Sequence, residues 1–424
     1  METKAKVIKM ARDAKDSSKF LSNMPSKIKN EALLNMASSL ENKIEDILEE
    51  NRKDLVLSQE KNVSKVMMDR LSLSADRIKV MAESLRKIAS LKDPVGEVEE
   101  GWKVPNGLQI TKVRVPIGVI GIIYESRPNV TADSIGLCIK SGNSVILRGG
   151  SDALNSNIII ARILSKAAEE KGIPRNAIQM IETTNREAVD IMFKLDEYID
   201  VLIPRGGAEL INLVKNESRI PVIETGTGNC HLFIDKDADL EMGVEICINA
   251  KTQRPSVCNA IESLLVHKDI ATKYLPRVYK RLVEKNVEIR GCSDTRKILN
   301  SLHKKKNIKK ATEEDWYTEF LSLVLAVKVV DSAKEAIEHI NKYGSKHSEA
   351  IITNNYATAQ EFMQNVDSAC VFLNASTRFT DGSEFGFGSE IGISTQKLHA
   401  RGPMGLRELT TTKYLILGSG QKRE

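Results

Sequence analysis

The sequence predicts an α/β fold whose sheets are built from parallel strands. Three short strand-like stretches, "VIGIIYES" (119–126), "SVILRGG" (144–150) and "VLIPRGG" (201–207), each begin with an apolar run and are each followed by a segment with helical periodicity. Continuous apolar strands that alternate with helices are typical of a parallel sheet covered on both faces. A second series of strand-like runs begins near Gly228, which indicates a second α/β region. A chain of 424 residues is long enough for two or three domains.

The region before these strands has two parts. Up to about Pro94 the chain is rich in Lys and Glu. There Leu33, Met36, Leu40, Ile44 and Ile47 recur three and four apart, at the spacing of one helix face, so we expect a layer of helices. Residues 96–118 contain the turn "PNG" between two alternating runs, which predicts an antiparallel β-hairpin.

The charge balance does not demand nucleic acid as a partner. The chain has 62 basic and 57 acidic side chains, which leaves a formal net charge of +5. This mild excess is compatible with an anionic small substrate. The lysine-rich run at 303–310 has no interleaved aromatic residues, so we interpret it as a solvated loop. The alternative from another functional class is a nucleic-acid-binding protein that uses this run.

Composition also bears on location and on metals. No apolar run approaches the ~20 residues that a membrane helix needs, and the Met1 end lacks the apolar region of a secretory signal. The six cysteines are scattered singly, at Cys138, Cys230, Cys247, Cys258, Cys292 and Cys370. No CxxC pair and no His/Cys cluster has metal-ligand spacing, so we expect no metal site. These patterns predict a cytoplasmic protein with reduced thiols and no membrane partner.

One cysteine has distinctive neighbours. Cys258 lies in "TQRPSVCNA", four residues after Arg254. The residues alone leave two interpretations open. The thiol could be a small apolar side chain of the core, since free cysteine is often buried. It could also be a nucleophile that a nearby cation activates.

Common nucleotide and hydrolase motifs are missing. The sequence has no GxxxxGK[ST], HExxH or GxSxG motif, and "GTGNCH" (226–231) fails GxGxxG at its last position. The predicted strands instead lead into "YESRPN", "LRGG" and "PRGG". Ligands of parallel sheets bind at the carboxyl ends of the strands, where backbone N–H groups and a guanidinium could hold cofactor phosphates. The alternative is that both "RGG" segments are only tight turns.

Longer stretches resemble one family. They are "VPIGVIGIIYESRPNVT", "SVILRGGSDALNSN", "TQRPSVCNAIESLLVH", "AIEHINKYGSKHSEAI" and "NASTRFTDGSEFGFGSEIGISTQKLHARGPMGL". Over essentially its whole length, the chain resembles the gamma-glutamyl phosphate reductases of the aldehyde dehydrogenase superfamily. The resemblance implies an aldehyde dehydrogenase-like α/β fold with a Rossmann-type cofactor domain, an α/β catalytic domain and a hairpin-plus-tail oligomerisation element.

The resemblance also implies a reaction. These enzymes reduce L-glutamyl 5-phosphate with NADPH to L-glutamate 5-semialdehyde and phosphate, the second step of proline biosynthesis from glutamate. The implied partners are this small substrate, glutamate 5-kinase as the coupled enzyme, and further copies of the chain in a dimer or tetramer. Because no kinase-like segment precedes the reductase part, we expect the stand-alone bacterial form. The first alternative is an aldehyde dehydrogenase that oxidises an aldehyde with NAD and releases an acid.

Family roles carry over to the catalytic residues by position. Cys258 matches the nucleophile, which would form a thioester with the substrate. Asn129 matches the asparagine whose side-chain amide forms the oxyanion hole with the backbone N–H of the cysteine. Arg254 could activate the thiolate or hold the substrate phosphate, and the sequence does not choose between these roles. Arg127 is the second candidate for substrate binding.

The implied cofactor is NADP, and the implied cofactor-binding residues are Arg148, Gly149, Ser151, Gly206, Gly207 and Glu319. Arg148 stands where relatives have a lysine that touches the adenosine ribose. Ser151 replaces the glutamate of relatives that use NAD, and a cation without that carboxylate suits a 2′-phosphate, although Asp152 lies next to it. Gly206 and Gly207 match the turn beside the pyrophosphate, and Glu319 matches the glutamate that holds the nicotinamide ribose.

Three further residues keep open roles. Glu224 matches the general base of aldehyde-oxidising relatives, but water attack would waste the thioester here, so a structural or cofactor-contact role is an equal alternative. His339 and His347 belong to the family stretch, and we expect structural or hinge roles rather than catalysis. The predicted division is a cofactor-binding domain (1–99 and 119–226, with 389–404), a catalytic domain (227–388) and an oligomerisation element (100–118 and 405–424).

Overall fold

The structure is a computed structural model that describes residues 2–61, 63, 65–125, 127–300 and 307–423. The chain divides into two units. The first unit comprises Met1–Thr225, Gly386–Gly392 and Pro403–Glu424. The second unit comprises Gly226–Phe385 and Ile393–Gly402. The functional division into three parts stays a prediction.

Helices lead the first unit. They are α1 (Glu2–Leu21), α2 (Ser26–Asn42), α3 (Ile44–Glu60), α4 (Lys65–Leu71) and α5 (Ala75–Ser90). Helix α2 buries Leu33, Met36 and Leu40, as their spacing predicts. The single face predicted through Ile44 and Ile47 is wrong, because α2 ends at Asn42 and these two residues belong to α3. Helix α5 begins after Ser74, whose side-chain oxygen accepts a hydrogen bond from the N–H of Arg77 and so caps the helix.

The predicted hairpin follows. Strands β1 (Val98–Lys103) and β2 (Gln109–Pro116) pair antiparallel, as expected from the turn signal. Gly107 in the connecting turn has a φ of +92°, which glycine adopts without the steric cost of a side chain.

A parallel sheet forms the centre of the first unit. Its segment contains β3 (Val119–Tyr124), α6 (Asn129–Lys140), β4 (Ser144–Arg148), α7 (Leu154–Glu169), β5 (Ile178–Met180), α8 (Glu187–Met192), β6 (Val201–Arg205) and α9 (Ala208–Glu217). The strands pair in parallel in the order β5-β4-β3-β6. Every residue of β3 is buried. The chain order reverses at β3, and such a reversal opens a crevice at the carboxyl ends of the strands.

The second unit is built on a larger parallel sheet. Its elements are β7 (Cys230–Ile234), α10 (Leu240–Thr252), β8 (Ile261–His267), α11 (Lys268–Glu284), β9 (Glu288–Gly291), α12 (Ser293–Asn300), β10 (Ile308–Lys310), β11 (Val324–Val330), α13 (Ala333–Tyr343), β12 (Ser348–Ile352), α14 (Tyr356–Asn365) and β13 (Cys370–Leu373). The order is β10-β9-β11-β8-β7-β12-β13, and neighbouring strands are parallel. Leu232 and Phe233 of β7 lie in different core clusters, so helices cover both faces.

Short elements complete the chain. They are β14 (Ile393–Ser394), β15 (Gly402–Pro403) and β16 (Thr410–Leu417). Strand β16 pairs antiparallel with β2 within the same chain, and Ile416 and Leu417 on it are exposed. The solvated-loop interpretation of the lysine-rich run is wrong for its last residues, because Ile308–Lys310 pair with β9 as a strand. Residues 303–306 of that run lie outside the described residues. No helix in the described part of the chain is long and apolar enough to cross a membrane.

Candidate active site

The first unit brings a carboxylate and a glycine pair together at the ends of β3 and β6. The N–H of Glu125 donates to the carbonyl of Arg205 over 3.1 Å, and the N–H of Gly207 donates to Oε2 of Glu125 over 3.1 Å. A Cβ on Gly206 would lie 2.5 Å from Cδ of Glu125, so a larger residue would displace this carboxylate. A Cβ on Gly207 would meet nothing within 4 Å. The backbone N–H that starts α9 therefore already binds an anionic oxygen.

Arg148 ends the neighbouring strand β4 and is half-buried. Its Nη2 donates to the carbonyl of Thr184 over 3.3 Å. Its Nε is buried and has no hydrogen-bond partner among the described residues. Burial, and then the positive charge of Arg186, lower the pKa of Arg148. Two guanidinium groups thus lie near each other at this end of the sheet.

The "RGG" turn after β4 is sterically constrained. A Cβ on Gly149 would lie 2.2 Å from Nδ2 of Asn157, so this position requires glycine unless the amide moves. Ser151 starts the short 3₁₀ turn that leads into α7, and its hydroxyl lies 3.4 Å from Oδ1 of Asp152. Nζ of Lys61 lies 3.8 Å from the same carboxylate oxygen. Asp152, which cast doubt on a 2′-phosphate site, therefore has a cation beside it.

The remaining candidates of the first unit are Arg127 and Asn129, at the start of α6, and Glu224, after α9. Asn129 is exposed, and its Nδ2 donates to Oδ2 of Asp133 over 3.3 Å. The N–H of Arg127 donates to the carbonyl of Glu125 over 2.7 Å. Oε1 of Glu224 forms an ion pair with Nζ of Lys215 at 2.9 Å. This ion pair is compatible with a structural role for Glu224, and the choice between that role and a cofactor contact stays a prediction.

In the second unit, Cys258 lies half-buried in the turn before β8. Gly228 packs directly on this turn, because a Cβ there would fall 1.6 Å from the carbonyl oxygen of Cys258. The thiol of Cys230 donates to the same carbonyl oxygen over 3.1 Å. The N–H of Gly228 donates to Oε1 of Glu319 over 2.7 Å. Gly228 therefore links the predicted nucleophile to the predicted ribose-binding glutamate.

A chain of buried polar side chains continues from Cys230. Nδ1 of His347 lies 3.7 Å from Sγ of Cys230 and 2.8 Å from the hydroxyl of Ser348. That hydroxyl lies 2.6 Å from the hydroxyl of Thr380. Burial lowers the pKa of His347 to about 4 and raises the pKa of Cys230 well above its usual value. A neutral His347 contacts Cys230, which in turn binds the carbonyl of Cys258. This supports the structural role expected for His347, which remains a prediction.

A buried ion pair braces the other side of this turn. Nζ of Lys251 on α10 hydrogen-bonds Oε2 of Glu262 on β8, and it also donates to the carbonyl of Ile261 over 3.0 Å. Oε1 of Glu262 accepts the N–H of Leu321, close in sequence to Glu319, over 3.0 Å. Burial raises the pKa of Glu262 to about 7 and lowers the pKa of Lys251. The pair ties the segment that carries Glu319 to the strand that follows Cys258.

His339 is separate from this cluster of contacts. Its ring lies 5.3 Å from the ring of Trp316 and 4.4 Å from the ring of Tyr343, between centroids. Burial is the main reason that its pKa falls to about 2, and the charge of His231 lowers the pKa further. A histidine that stays neutral among aromatic rings supports the structural role expected for it, which remains a prediction.

Arg378 was missed by the sequence-based selection of site residues. Its Nε donates to Oε1 of Gln253 over 2.8 Å, and its carbonyl accepts from Nδ2 of Asn259 over 3.3 Å. Burial, and then the charge of Arg254, lower the pKa of Arg378, while the proximity of Cys258 acts in the opposite direction. The available signal was its place in the family stretch "NASTRFTDG".

Four of these second-unit residues share one end of their sheet. Gly228 precedes β7, Cys258 precedes β8, Glu319 precedes β11 and His347 precedes β12. Because the strands are parallel, this is the edge formed by their amino ends.

Comparison with known proteins identifies the family of the chain. The family model described as the aldehyde dehydrogenase family matches residues 1–315. A gamma-glutamyl phosphate reductase of Caldanaerobacter subterraneus subsp. tengcongensis is 59% identical over 414 residues, which cover 98% of this chain and 99% of the relative. That of Halothermothrix orenii is 56% identical over 424 residues, which cover 100% of both chains.

A solved structure agrees over the whole fold. The crystal structure of gamma-glutamyl phosphate reductase from Thermotoga maritima is 49% identical and superposes with a TM-score of 0.94, covering 99% of this chain and 100% of that one. The similarity confirms the predicted fold class and the oxidoreductase assignment. The chain therefore belongs to the aldehyde dehydrogenase family and, within it, to the gamma-glutamyl phosphate reductases.

Proposed function

We propose that the chain reduces L-glutamyl 5-phosphate with NADPH to L-glutamate 5-semialdehyde and phosphate, through a thioester on Cys258. The names of the full-length relatives support the substrate. The observation that carries the proposal is the turn of Cys258, which Gly228 and Cys230 both hold through its carbonyl oxygen. A fixed backbone keeps a half-buried thiol in one orientation for attack. In the cell, this reaction would be the second step of proline biosynthesis from glutamate, after glutamate 5-kinase.

The chemistry of the first step belongs to the thiol. The thiolate of Cys258 attacks the acyl carbon, an S–C bond forms, and the C–O bond to phosphate breaks with its electron pair on the departing oxygen. A free cysteine with a pKa of ~8.5 is only about 3% thiolate at pH 7, so cations near the thiol favour the reactive form. Arg254 and Arg378 are the candidate cations of the second unit. Asn129 is the proposed side-chain donor to the oxyanion, and Arg127 is a further proposed substrate ligand.

Enzymes of the aldehyde dehydrogenase family use nicotinamide cofactors. The ends of β3, β4 and β6 fit such a group, because Gly207 already binds a carboxylate oxygen and Arg148 has a buried Nε without a partner among the described residues. When bound, the cofactor supplies the hydride that reduces the thioester. Arg148 and the nearby Arg186 favour a 2′-phosphate and hence NADP. Ser151 and the "RGG" turn at Gly149 would line this end.

Other cofactor contacts follow the family pattern. Gly206 and Gly207 would lie beside the pyrophosphate at the start of α9. Glu319 would hold the nicotinamide ribose, and its carboxylate is oriented by the N–H of Gly228.

We further propose a dimer or tetramer that uses β16, because this strand exposes Leu415, Ile416 and Leu417 next to the hairpin. Light scattering on a chain without residues 410–417 tests this assembly.

One experiment separates the reductase from a hydrolytic aldehyde dehydrogenase. In the reverse direction, L-glutamate 5-semialdehyde and NADP are supplied with and without inorganic phosphate, in a buffer free of other oxyanions. We expect NADPH formation to depend on phosphate and to saturate with it, because phosphate is the acceptor of the acyl group. A full rate without phosphate, with glutamate as product, would refute the proposed function.

A further inference from the structure

We propose that Arg378, held by Gln253 and assisted by Arg254, binds the phosphoryl group of the substrate beside Cys258. This inference rests on the proposed function and assigns the leaving-group site within it. It also narrows the open role of Arg254 toward phosphate binding.

The backbone beside Arg378 is fixed to the turn of the nucleophile. The hydroxyl of Thr377 donates to the carbonyl of Asn259 over 2.7 Å. In return, Nδ2 of Asn259 donates to the carbonyl of Thr380 over 2.9 Å and to that of Arg378 over 3.3 Å. Asn259 directly follows Cys258 in the chain. These reciprocal hydrogen bonds hold Arg378 at a set position relative to the thiol.

The side chain of Arg378 is also oriented. Its Nε donates to Oε1 of Gln253 over 2.8 Å, and Gln253 directly precedes Arg254. A guanidinium has five N–H donors in a planar fork, and a contact through Nε leaves the two terminal nitrogens for another acceptor. Two terminal nitrogens of one guanidinium match two oxygens of a phosphate group.

The positive charges of Arg378 and Arg254 favour binding of an anion. Burial and the nearby charge of Arg254 both lower the pKa of Arg378, which means that two like charges lie close to each other. Asp381 is the carboxylate that acts on Arg378, and its Oδ1 also accepts N–H groups of Ser383 over 2.8 Å and Glu384 over 3.4 Å. A dianionic phosphoryl group between the two guanidinium groups would remove their mutual repulsion.

The reaction itself needs positive charge at this place. When the S–C bond forms and the C–O bond breaks, the departing phosphate keeps the electron pair and takes a proton from the solvent. An anionic thiolate must approach a substrate group that already carries negative charge. Cations that contact the phosphoryl oxygens would reduce this repulsion and stabilise the departing charge.

The test uses the reverse reaction of the full chain, with L-glutamate 5-semialdehyde, NADP and varied inorganic phosphate. For Arg378→Met we expect the KM for phosphate to rise at least tenfold, while the KM for NADP changes less than twofold. Arg378→Lys should recover part of the phosphate affinity, because it restores the charge without the fork. The matched control is Arg281→Met, which removes a surface arginine of the same unit whose Nη1 pairs with Glu245 at 2.6 Å. It should leave the KM for phosphate unchanged.

A second measurement removes the chemistry. Calorimetry measures the affinity of the Cys258→Ala protein for inorganic phosphate. This affinity should fall at least tenfold when Arg378→Met is added. An unchanged KM for phosphate, unchanged binding, or equal rises in the KM values of phosphate and NADP would overturn the inference and leave Arg378 as a structural brace. Failure of the proposed function is distinguishable, because the wild-type protein would then turn over without phosphate at all.

Discussion

The two units carry their candidate site residues at opposite ends of their parallel strands. In the first unit, Glu125 and Gly206 follow β3 and β6, and Arg148 is the last residue of β4, so all three lie at the carboxyl ends. In the second unit, Gly228 and Cys258 precede β7 and β8, so they lie at the amino ends. The general rule that ligands bind at the carboxyl ends of parallel strands therefore locates only the first group.

The difference also concerns how each group is held in place. In the first unit, the N–H of Gly207 lies at the start of α9, and Nε of Arg148 is buried without a hydrogen-bond partner among the described residues. These groups suit a ligand with phosphates. In the second unit, the backbone carbonyl of Cys258 accepts a hydrogen bond from the thiol of Cys230 and packs directly against Gly228. We therefore expect changes in the first unit to alter cofactor affinity, and changes in the second to alter the rate of the chemical steps.

The strongest test of this contrast is Cys258→Ala. We expect a loss of at least about three orders of magnitude in kcat, because removal of a nucleophile removes the covalent route. Binding of NADPH, followed by its fluorescence, should stay within about twofold of wild type, since no thiol takes part in it. Turnover within tenfold of wild type would contradict the nucleophile assignment.

A matched pair of glycine substitutions tests the contrast without touching a reactive group. Gly228→Ala places a Cβ 1.6 Å from the carbonyl oxygen of Cys258, which is backbone and must shift as a whole. We expect kcat to fall about a hundredfold, the typical cost of a displacement of about 1 Å at a reacting group. Gly149→Ala instead meets the side-chain amide of Asn157 at 2.2 Å.

For Gly149→Ala we expect a several-fold rise in the KM for NADPH with a smaller change in kcat. Circular dichroism of both variants is the control for folding. If Gly149→Ala lowered kcat and Gly228→Ala raised only the KM for NADPH, the division of roles between the units would be wrong.

Arg148→Ala tests the cofactor preference of the first unit. A charge-assisted contact to a 2′-phosphate contributes about 1.5–3 kcal/mol, so its loss should raise the KM for NADPH about ten- to a hundredfold and leave the KM for NADH nearly unchanged. Arg77→Ala is the control, because this exposed arginine of the first unit pairs with Asp69 at 2.8 Å. Equal use of both cofactors by the wild-type chain would refute the NADP proposal.

Much of the fold could be predicted from the sequence, because the signals are local. The apolar runs of β3, β4 and β6 and the "PNG" hairpin each depend on a few adjacent residues. The lysine-rich run was misread at Ile308–Lys310, since its charged side chains gave no strand signal and its pairing with β9 stabilises it. Short edge strands of this kind are set by their neighbours rather than by their own composition.

The site was predictable only in part, for the same physical reason. The resemblance selected Cys258, but no local pattern indicates that Gly228 must pack on its carbonyl, since that contact depends on how β7 pairs with β8. Arg378 and the Lys251–Glu262 ion pair likewise depend on contacts between separate elements. Such contacts follow from the packing of the sheet and are not encoded in the spacing of adjacent residues.

The two units also differ in a property that the sequence shows directly. The six histidines of the chain all lie between His231 and His399, within the sequence range of the second unit. Burial lowers the pKa of His347 to about 4 and that of His339 to about 2. A histidine with a lowered pKa stabilises the folded state above its unfolded pKa of about 6.5, and this stability is lost as the pH falls toward the folded pKa. Acid should therefore destabilise the second unit through these histidines.

The two tryptophans allow each unit to be followed alone, since Trp102 lies on β1 of the first unit and Trp316 is buried in the second. Between pH 6 and pH 4.5 the free energy of unfolding of the second unit should fall in a Trp102→Phe background. We expect this fall to be smaller by about 2 kcal/mol when His347→Asn is added, because one proton fewer then binds on unfolding. Urea unfolding followed by the fluorescence of Trp316 measures this difference. In a Trp316→Phe background, the same substitution should leave the pH dependence reported by Trp102 unchanged. An equal acid-induced loss with and without His347 would show that this histidine does not stay neutral in the folded unit.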